Sequence, residues 1–106
     1  MVIEWLKFRV APEAREKFIE QDEVIWTATL ATYPGFLRKE VWLDPSIFDE
    51  VVLIIRWQSR EQWKAVPIDV LRATEEKFAA AMGQSSDYEM IETKEYQIRK
   101  FSPVEK

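Results

Sequence analysis

The sequence contains no histidine, no cysteine and no asparagine among its 106 residues. Without histidine and cysteine, the usual ligands of zinc, copper and haem are missing, and so are imidazole bases and thiol nucleophiles. We therefore expect no metal and no resident cofactor. The absence of cysteine also excludes disulfides and favours a cytoplasmic location.

Glycine is also scarce, and the net charge is negative. The two glycines, Gly35 and Gly83, cannot build a phosphate-binding glycine loop. The net charge of −4 argues against nucleic acid as a partner, because nucleic acid requires a basic surface. The longest apolar run, Val51 to Ile55, is far shorter than the about 20 residues of a membrane span. The N-terminal residues also lack the pattern of a signal peptide, so we expect neither signal nor membrane association.

The length and the composition predict one globular domain. Apolar residues make up 47% of the chain and charged residues 32%, which is typical of a folded protein. We place the domain at residues 1–101 and a C-terminal tail at 102–106. A domain of this size buries about 65% of the surface of its unfolded chain. We expect that to suffice for one core, but not for a deep pocket inside one subunit as well.

Four segments have the composition and the alternation of strands. The third is apolar at five successive positions, which is typical of a strand buried on both faces. The four predicted strands are Ile3 to Val10, Phe36 to Leu43, Glu50 to Trp57 and Tyr88 to Phe101.

A first helix is predicted between the first two strands. Ala11-Pro12-Glu13 opens it, since proline is tolerated in a first turn and Glu13 complements the helix dipole. We expect the helix to weaken through Thr27-Ala28-Thr29. Tyr33-Pro34-Gly35 ends it.

A second helix is predicted to follow the third strand at once. Ser59 and Gln62 have the spacing of a capping box, in which each satisfies a free N–H group of the other. Pro67 should break or kink this helix, and Gly83 is suited to its C-terminal end. Residues Gln84 to Asp87 should form a loop.

The element order βαββαβ predicts an α+β fold of the ferredoxin-like, split βαβ type. Such a fold has a four-stranded antiparallel sheet with two helices on one face, so the other face needs a separate partner. The third strand is apolar on both faces, and Trp5 and Trp42 also need partners. We therefore predict a homodimer in which the sheets of two subunits face each other.

The end of the third strand carries a resemblance to a known family. Trp57-x-Ser59-x-Glu61-x-Trp63 follows that strand, and Pro34-Gly35-Phe36-Leu37 opens the strand before it. Together with the element order, these residues resemble the antibiotic biosynthesis monooxygenase-like (ABM) family of dimeric α/β barrels, and an uncharacterised bacterial branch of it most closely. The resemblance implies a dimeric α/β barrel built from the predicted fold.

The activities of that family are varied. Some members are cofactor-independent monooxygenases acting on aromatic polyketides or quinols, and some degrade haem. The strand-end tryptophan of the haem-degrading members falls on Trp57. Their histidine and asparagine fall near Pro67 and Leu6 of this chain, so haem degradation is not carried over.

Three tryptophans are candidates for substrate binding. Trp57, at the strand end, is either a core residue or a flat wall of a cavity between the helices and the sheet. Trp63, in the first turn of the second helix, either packs under the Pro67 kink or forms another wall. Trp26 belongs to the buried stripe of the first helix, as core or as wall.

Three polar residues are candidates for catalysis. Asp22 lies four residues before Trp26, on nearly the same helix face, so it either caps a group such as an indole N–H or acts as a desolvated base. Arg38 either lies on a solvated sheet face or in a salt bridge of the dimer, or it stabilises an anionic substrate. Tyr33 is either a turn residue or a hydrogen-bond donor to the substrate.

Two functions remain open. The first is a cofactor-independent monooxygenase acting on a small planar aromatic substrate or quinol. Such a substrate ionises to a carbanion that reacts with oxygen directly, so the protein need only bind, orient and exclude water. The second is a non-catalytic homodimer that binds a small ligand or serves a structural role.

Overall fold

The structure is a computed structural model that describes residues 1–83 and 87–104. The order of the strands and the helical layers confirms the predicted βαββαβ arrangement. The strands are β1 (Val2–Val10), β2 (Phe36–Trp42), β3 (Glu50–Trp57) and β4 (Tyr88–Gln97). The helices are α1 (Arg15–Gln21), α2 (Ala28–Leu30), α3 (Arg60–Lys64) and α4 (Ile68–Met82).

The four strands form one antiparallel sheet in the order β2-β3-β1-β4. Since β1 and β2 are both antiparallel to β3, they run in the same direction with β3 between them. This is the split βαβ arrangement, and it confirms the predicted fold class.

The helices cover one face of the sheet. We call this the inner face, which carries Leu6 and Phe8 of β1 and Leu53 of β3, and we call the opposite side the open face, which carries Trp5 of β1 and Ile54 of β3. Ile54 on the open face and Leu53 on the inner face are both buried. The third strand is therefore buried on both sides, as its sequence predicts.

An aromatic cluster joins the sheet to both helical layers at one end of the inner face. The Phe18 ring lies 5.1 Å from Phe8, 5.3 Å from Phe78 and 5.8 Å from Tyr88, measured between ring centroids. Tilted and edge-to-face pairs at these distances are favourable beyond their burial. They fix how the helices sit over the sheet.

A bulge in β2 changes which side chains face inward. Phe36 pairs with Trp57, but Arg38 pairs with Arg56, so one extra residue, Leu37, lies between the two pairs. Because of this shift, Phe36 packs on the inner face against Trp57, whereas Arg38 is on the open face. The next residue, Lys39, is on the inner face.

The first helical layer contains a π-helical segment where the sequence predicts only a weakening. A 3₁₀ turn, Pro12–Ala14, opens this layer, and α1 continues into the π segment, Asp22–Thr27, before α2 completes it. The N–H of Ala28 donates to the carbonyl of Glu23, five residues back. Such segments are rare and occur frequently at functional sites.

The second helical layer begins and breaks where it was predicted to. The Gln62 N–H donates to Ser59 Oγ at 3.1 Å, which confirms the N-cap. The Gln62 side chain accepts from the Ser59 hydroxyl rather than from the Ser59 N–H that a capping box would use. Pro67 separates α3 from α4, and Gly83 follows α4 with a φ of 81°, as expected of a residue ending a helix.

The C-terminal strand is shorter than predicted. β4 ends at Gln97, whereas alternation predicts extended structure as far as Phe101. The predicted loop Gln84 to Asp87 has three residues, 84–86, outside the described part of the chain, as are residues 105 and 106 of the predicted tail. Among the described residues, no helix is both long and apolar enough to cross a membrane.

Candidate functional site

A cavity of about 360 Å³ lies between the inner face and the helices. This corrects the expectation that so small a domain has no room for a pocket of its own. The helices reach across the sheet at the aromatic cluster but leave this volume unfilled. Its lining is chiefly apolar and aromatic, with a few polar groups, as is usual for small-molecule sites. The polar lining residues are Glu4, Asp22, Lys39, Lys64, Glu75 and Tyr88.

Trp57 is both a core residue and a cavity wall, so the two interpretations of it hold together. It is 0% exposed to bulk solvent, its ring packs edge-to-face on Phe36, and it lines the cavity. Its indole Nε1–H donates to Glu4 Oε1 at 3.1 Å. The bond joins the end of β3 to the start of β1 and leaves a carboxylate on the cavity surface.

Asp22 and Lys39 form a buried ion pair in the cavity wall. Lys39 Nζ lies 2.6 Å from Asp22 Oδ2, and the two side chains are 4% and 3% exposed. The partner of Asp22 is therefore an ammonium group rather than the indole N–H considered from the sequence. The pair connects the π segment to β2 and places a buried cation in a largely apolar cavity wall.

Burial raises the pKa of both Glu4 and Asp22 above their ordinary values. For Glu4, the hydrogen bond from Trp57 and the nearby positive charges of Lys39 and Lys64 oppose this rise. For Asp22, the positive charge of Lys39 in contact with its carboxylate opposes this rise. Carboxyl groups of this kind, in a cleft and paired with a specific charge, are candidates for proton transfer.

The floor of the cavity is a row of residues in register across three strands. Lys39 of β2 pairs with Ile55 of β3, and Ile55 pairs with Glu4 of β1. Adjacent strands lie about 4.8 Å apart, so the Lys39 and Glu4 backbones are separated by about 10 Å. A flat ring lying over Ile55 would have the lysine at one end and the carboxylate at the other.

Trp26 and Trp63 complete the walls. Asp22 and Trp26 are four residues apart in the π segment, and both line the cavity. Trp63 lines it from α3, with Lys64 Nζ 4.1 Å from the centre of its ring. The π segment and the cap at Ser59 thus direct two indoles at the same space.

Four of the six predicted site residues meet at this cavity, namely Asp22, Trp26, Trp57 and Trp63. Arg38 lies on the open face with its side chain 66% exposed, beside Glu40 at 3.2 Å. Tyr33 packs on the core cluster around Trp57 and is not among the cavity-lining residues.

Sequence reasoning missed Glu4 and Lys39. Glu4 shares its strand parity with Leu6 and Phe8, so a carboxylate on the buried side of β1 was visible in the sequence. Lys39 gave no such signal, because the bulge at Leu37 sets which β2 residues face inward.

A second, shallower groove lies on the open face. Trp42 is 49% exposed there, although its Nε1–H donates to Glu40 Oε1 at 3.1 Å. Around it the surface is largely apolar, with one arginine. The residues lining this groove are Ile3, Trp5, Trp42, Ile54, Arg56, Tyr96 and Ile98.

Residues 1–66 match the family described as antibiotic biosynthesis monooxygenase. The chain belongs to this family. The match confirms the resemblance drawn from the sequence, and it covers Glu4, Asp22, Lys39, Trp57 and Trp63. A search of curated proteins gave no significant match.

Solved structures with the same fold include members of the ABM family. SnoaB from Streptomyces nogalater, described as a cofactor-independent oxygenase, is 20% identical over 97% of each chain, with a TM-score of 0.66. A candidate antibiotic biosynthesis monooxygenase from Deinococcus radiodurans is 16% identical over 100% of each chain, with a TM-score of 0.69. A conserved protein from Methanosarcina mazei Go1 is 15% identical over 91% of this chain and 90% of its own, with a TM-score of 0.65. At these identities the similarity shows the fold.

Proposed function

We propose that this ABM-family protein is a cofactor-independent monooxygenase acting on a small planar aromatic substrate such as a quinol. The observation that carries the proposal is the cavity on the inner face. There the indoles of Trp26, Trp57 and Trp63 line the same space as the buried Asp22–Lys39 pair and the carboxyl group of Glu4. Flat aromatic walls suit a flat aromatic ligand, and the few polar groups orient its hydroxyl groups.

For this oxygenation the protein needs only to bind the substrate and to transfer protons. A phenolic substrate that loses its proton has carbanion character on the ring and reacts with oxygen there. One oxygen atom stays on that ring carbon as a carbonyl, and the other leaves as water with the two hydrogens that the substrate gives up. The apolar cavity excludes water, and a positioned carboxylate and ammonium handle the proton and the negative charge.

The similarity to SnoaB supports this assignment at the level of class. SnoaB is described as a cofactor-independent oxygenase, and it shares the fold over 97% of this chain. The other support comes from the residues that line the cavity. The carboxyl groups of Glu4 and Asp22 can act as general acids or bases in the absence of histidine.

Oxygen consumption with a panel of naphthalene and anthracene quinols tests the proposal. We expect uptake above the uncatalysed rate with at least one quinol, and a loss of roughly tenfold or more in the Trp57→Ala variant, because a wall of the site is removed. Trp42→Ala on the open face, measured on equal amounts of the dimer, is the control. No uptake above background across the panel would contradict the assignment, and equal uptake in Trp57→Ala would reject the role of Trp57.

A non-catalytic binding role is the second candidate, and one observation favours it. Each buried carboxyl group already has an internal partner, since Trp57 donates to Glu4 and Lys39 pairs with Asp22. A site for binding alone needs no free base. Saturable quenching of tryptophan fluorescence by quinones, without any oxygen uptake, is the expected result of this alternative.

The open face supports the predicted homodimer. Its groove exposes Trp42 beside the buried Ile54, and an apolar surface of this kind is typical of an interface. We propose that two copies pack these faces together. Light scattering at micromolar concentration should give twice the chain mass, and the Tyr96→Asp variant, with its charge on the exposed part of the groove, should give the single-chain mass. A monomer in the wild type would reject the dimer.

The cytoplasmic location predicted from the absence of cysteine stays a prediction.

A further inference from the structure

The Asp22–Lys39 pair is unusual because a buried ion pair lies in the wall of a largely apolar cavity. Its two charges are 2.6 Å apart, and each side chain is less than 5% exposed. Removing two charges from water is costly, and buried pairs are frequently no better for stability than apolar residues of the same size. The stability of the fold therefore does not by itself account for a charged pair at this place.

Lys39 has hydrogen-bonding capacity that the protein does not use. An ammonium group has three N–H donors. Across residues 1–83 and 87–104, Asp22 is the one carboxylate within 4 Å of Lys39 Nζ. The side chain also lines the cavity. Donors therefore remain for a ligand oxygen that enters the cavity.

We propose that the Asp22–Lys39 pair is the site at which a phenolic ligand loses its proton, with Asp22 accepting the proton and Lys39 holding the phenolate oxygen. The inference deepens the proposed function, on whose cavity it rests. In the step, the O–H bond of the ligand breaks and an O–H bond forms on Asp22. The ion pair between Lys39 and Asp22 is replaced by one between Lys39 and the phenolate.

This exchange suits a water-poor cavity because the net charge of the site does not change. A neutral phenol enters, and one anion replaces another beside the same cation. The burial that raises the pKa of Asp22 makes it a stronger base than an exposed aspartate. Lys39 keeps the new phenolate ionised for the same reason that it keeps Asp22 ionised, since an opposite charge lies in contact with it.

The same geometry predicts the class of ligand. The site should prefer planar aromatic ligands with an acidic hydroxyl group at one end, and it should discriminate against the methyl ethers of the same compounds. A methyl ether has no proton to give to Asp22 and forms no anion for Lys39. Glu4, at the other end of the row across Ile55, is placed for a second polar group.

Absorption spectroscopy with 4-nitrophenol tests the inference, since its phenolate is yellow and its phenol is colourless. Below the pKa of the free compound, we expect the wild type to produce phenolate absorbance in a saturable manner. The apparent pKa of the bound phenol should fall by about one unit or more. In Lys39→Met this absorbance should disappear and binding should weaken at least about tenfold. Lys77→Met, an exposed lysine of α4, is the matched control and should behave as the wild type.

A folding control separates loss of the site from loss of structure. The double variant Asp22→Leu with Lys39→Met replaces the pair with apolar residues, and it should fold, keep the circular dichroism of the wild type and bind 4-nitroanisole without preferring 4-nitrophenol. Binding of 4-nitrophenol in its colourless form, with equal affinity in the wild type and in Lys39→Met, would overturn the inference. The assay needs no oxygen, so failure of the quinols to consume oxygen would reject the monooxygenase and leave this result standing.

Discussion

An indole N–H donates to a glutamate carboxylate on each face of the sheet, at the same distance of 3.1 Å. On the inner face Trp57 donates to Glu4, and burial raises the pKa of Glu4. On the open face Trp42 donates to Glu40, and this bond, together with one from Arg56, lowers the pKa of Glu40. The same contact thus accompanies opposite shifts of the carboxyl pKa.

The difference lies in the surroundings of the two bonds. Glu40 keeps its access to water and has Arg38 and Arg56 within 3.2 Å, so its charged form is favoured. Asp22 is buried and Glu4 is partly buried, and the positive groups near them only partly offset the rise in pKa that burial causes. The open face therefore holds carboxylates whose charged form is favoured, whereas the inner face holds carboxyl groups that take up a proton more easily than ordinary carboxylates.

Replacement of one tryptophan on each face should give the largest difference in the free energy of unfolding. Trp57→Ala should lower the free energy of unfolding by about 3–5 kcal/mol, because it leaves a large void in the core. In the single chain, Trp42→Ala should cost about 2 kcal/mol or less, because half of that side chain meets water there. Urea unfolding at one protein concentration measures both. Equal losses would show that the open face is as closely packed as the inner one.

Removal of one carboxylate from each face should give the next largest difference in the free energy of unfolding. Asp22→Leu should cost about 3 kcal/mol, because it leaves the Lys39 ammonium buried without a partner. Adding Lys39→Met should restore most of that loss. In the single chain, Glu40→Leu should cost about 1 kcal/mol or less, because the arginines it leaves remain hydrated there. If the second substitution fails to restore stability, the pair is not an isolated ion pair.

The pH dependence of stability should have opposite signs on the two faces. The folded pKa of Glu4 is raised above its ordinary 4.5, so its contribution to stability is lost as the pH rises from 4.5 through the folded value. The folded pKa of Glu40 is lowered, so its contribution is present above 4.5 and is lost as the pH falls. Unfolding curves of Glu4→Gln and Glu40→Gln between pH 3 and 7, each subtracted from the wild type, measure the two slopes, and slopes of one sign would contradict this account.

The smallest effect is expected at Arg38. Its side chain is exposed, so Arg38→Met should change the free energy of unfolding by about 1 kcal/mol or less. Oxygen uptake and 4-nitrophenol ionisation should also stay at wild-type levels when measured on equal amounts of the dimer. If ionisation of bound 4-nitrophenol were largely lost in Arg38→Met and unchanged in Lys39→Met, the anion-binding residue would be Arg38, as the sequence predicts.

The fold could be predicted because its signals are local and agree with one another. The apolar run of β3, the cap at Ser59 and the break at Pro67 each define an element by short-range chemistry, and their order leaves few topologies. The end of β4 was less predictable, because alternation continues beyond the last residue that pairs with β1.

The candidate site could be predicted only in part, because it depends on tertiary packing. Trp57 and Asp22 were identified from their residue types and positions. Lys39 was not, because a single bulged residue, Leu37, reverses the parity of β2 and sends Lys39 inward in place of Arg38. The volume of the cavity depends on how far the π segment lies from the sheet, which no short pattern encodes.

The central claim is that an aromatic ligand binds at the inner face. The indole N–H signals in a ¹H–¹⁵N correlation spectrum test it most directly, during an anaerobic titration with 1,4-dihydroxynaphthalene. The account predicts saturable shifts of the Trp57 signal, whose N–H is bonded to Glu4 at the cavity, while the Trp42 signal stays in place. Shifts of Trp42 with Trp57 unchanged would place the ligand on the open face and contradict the account.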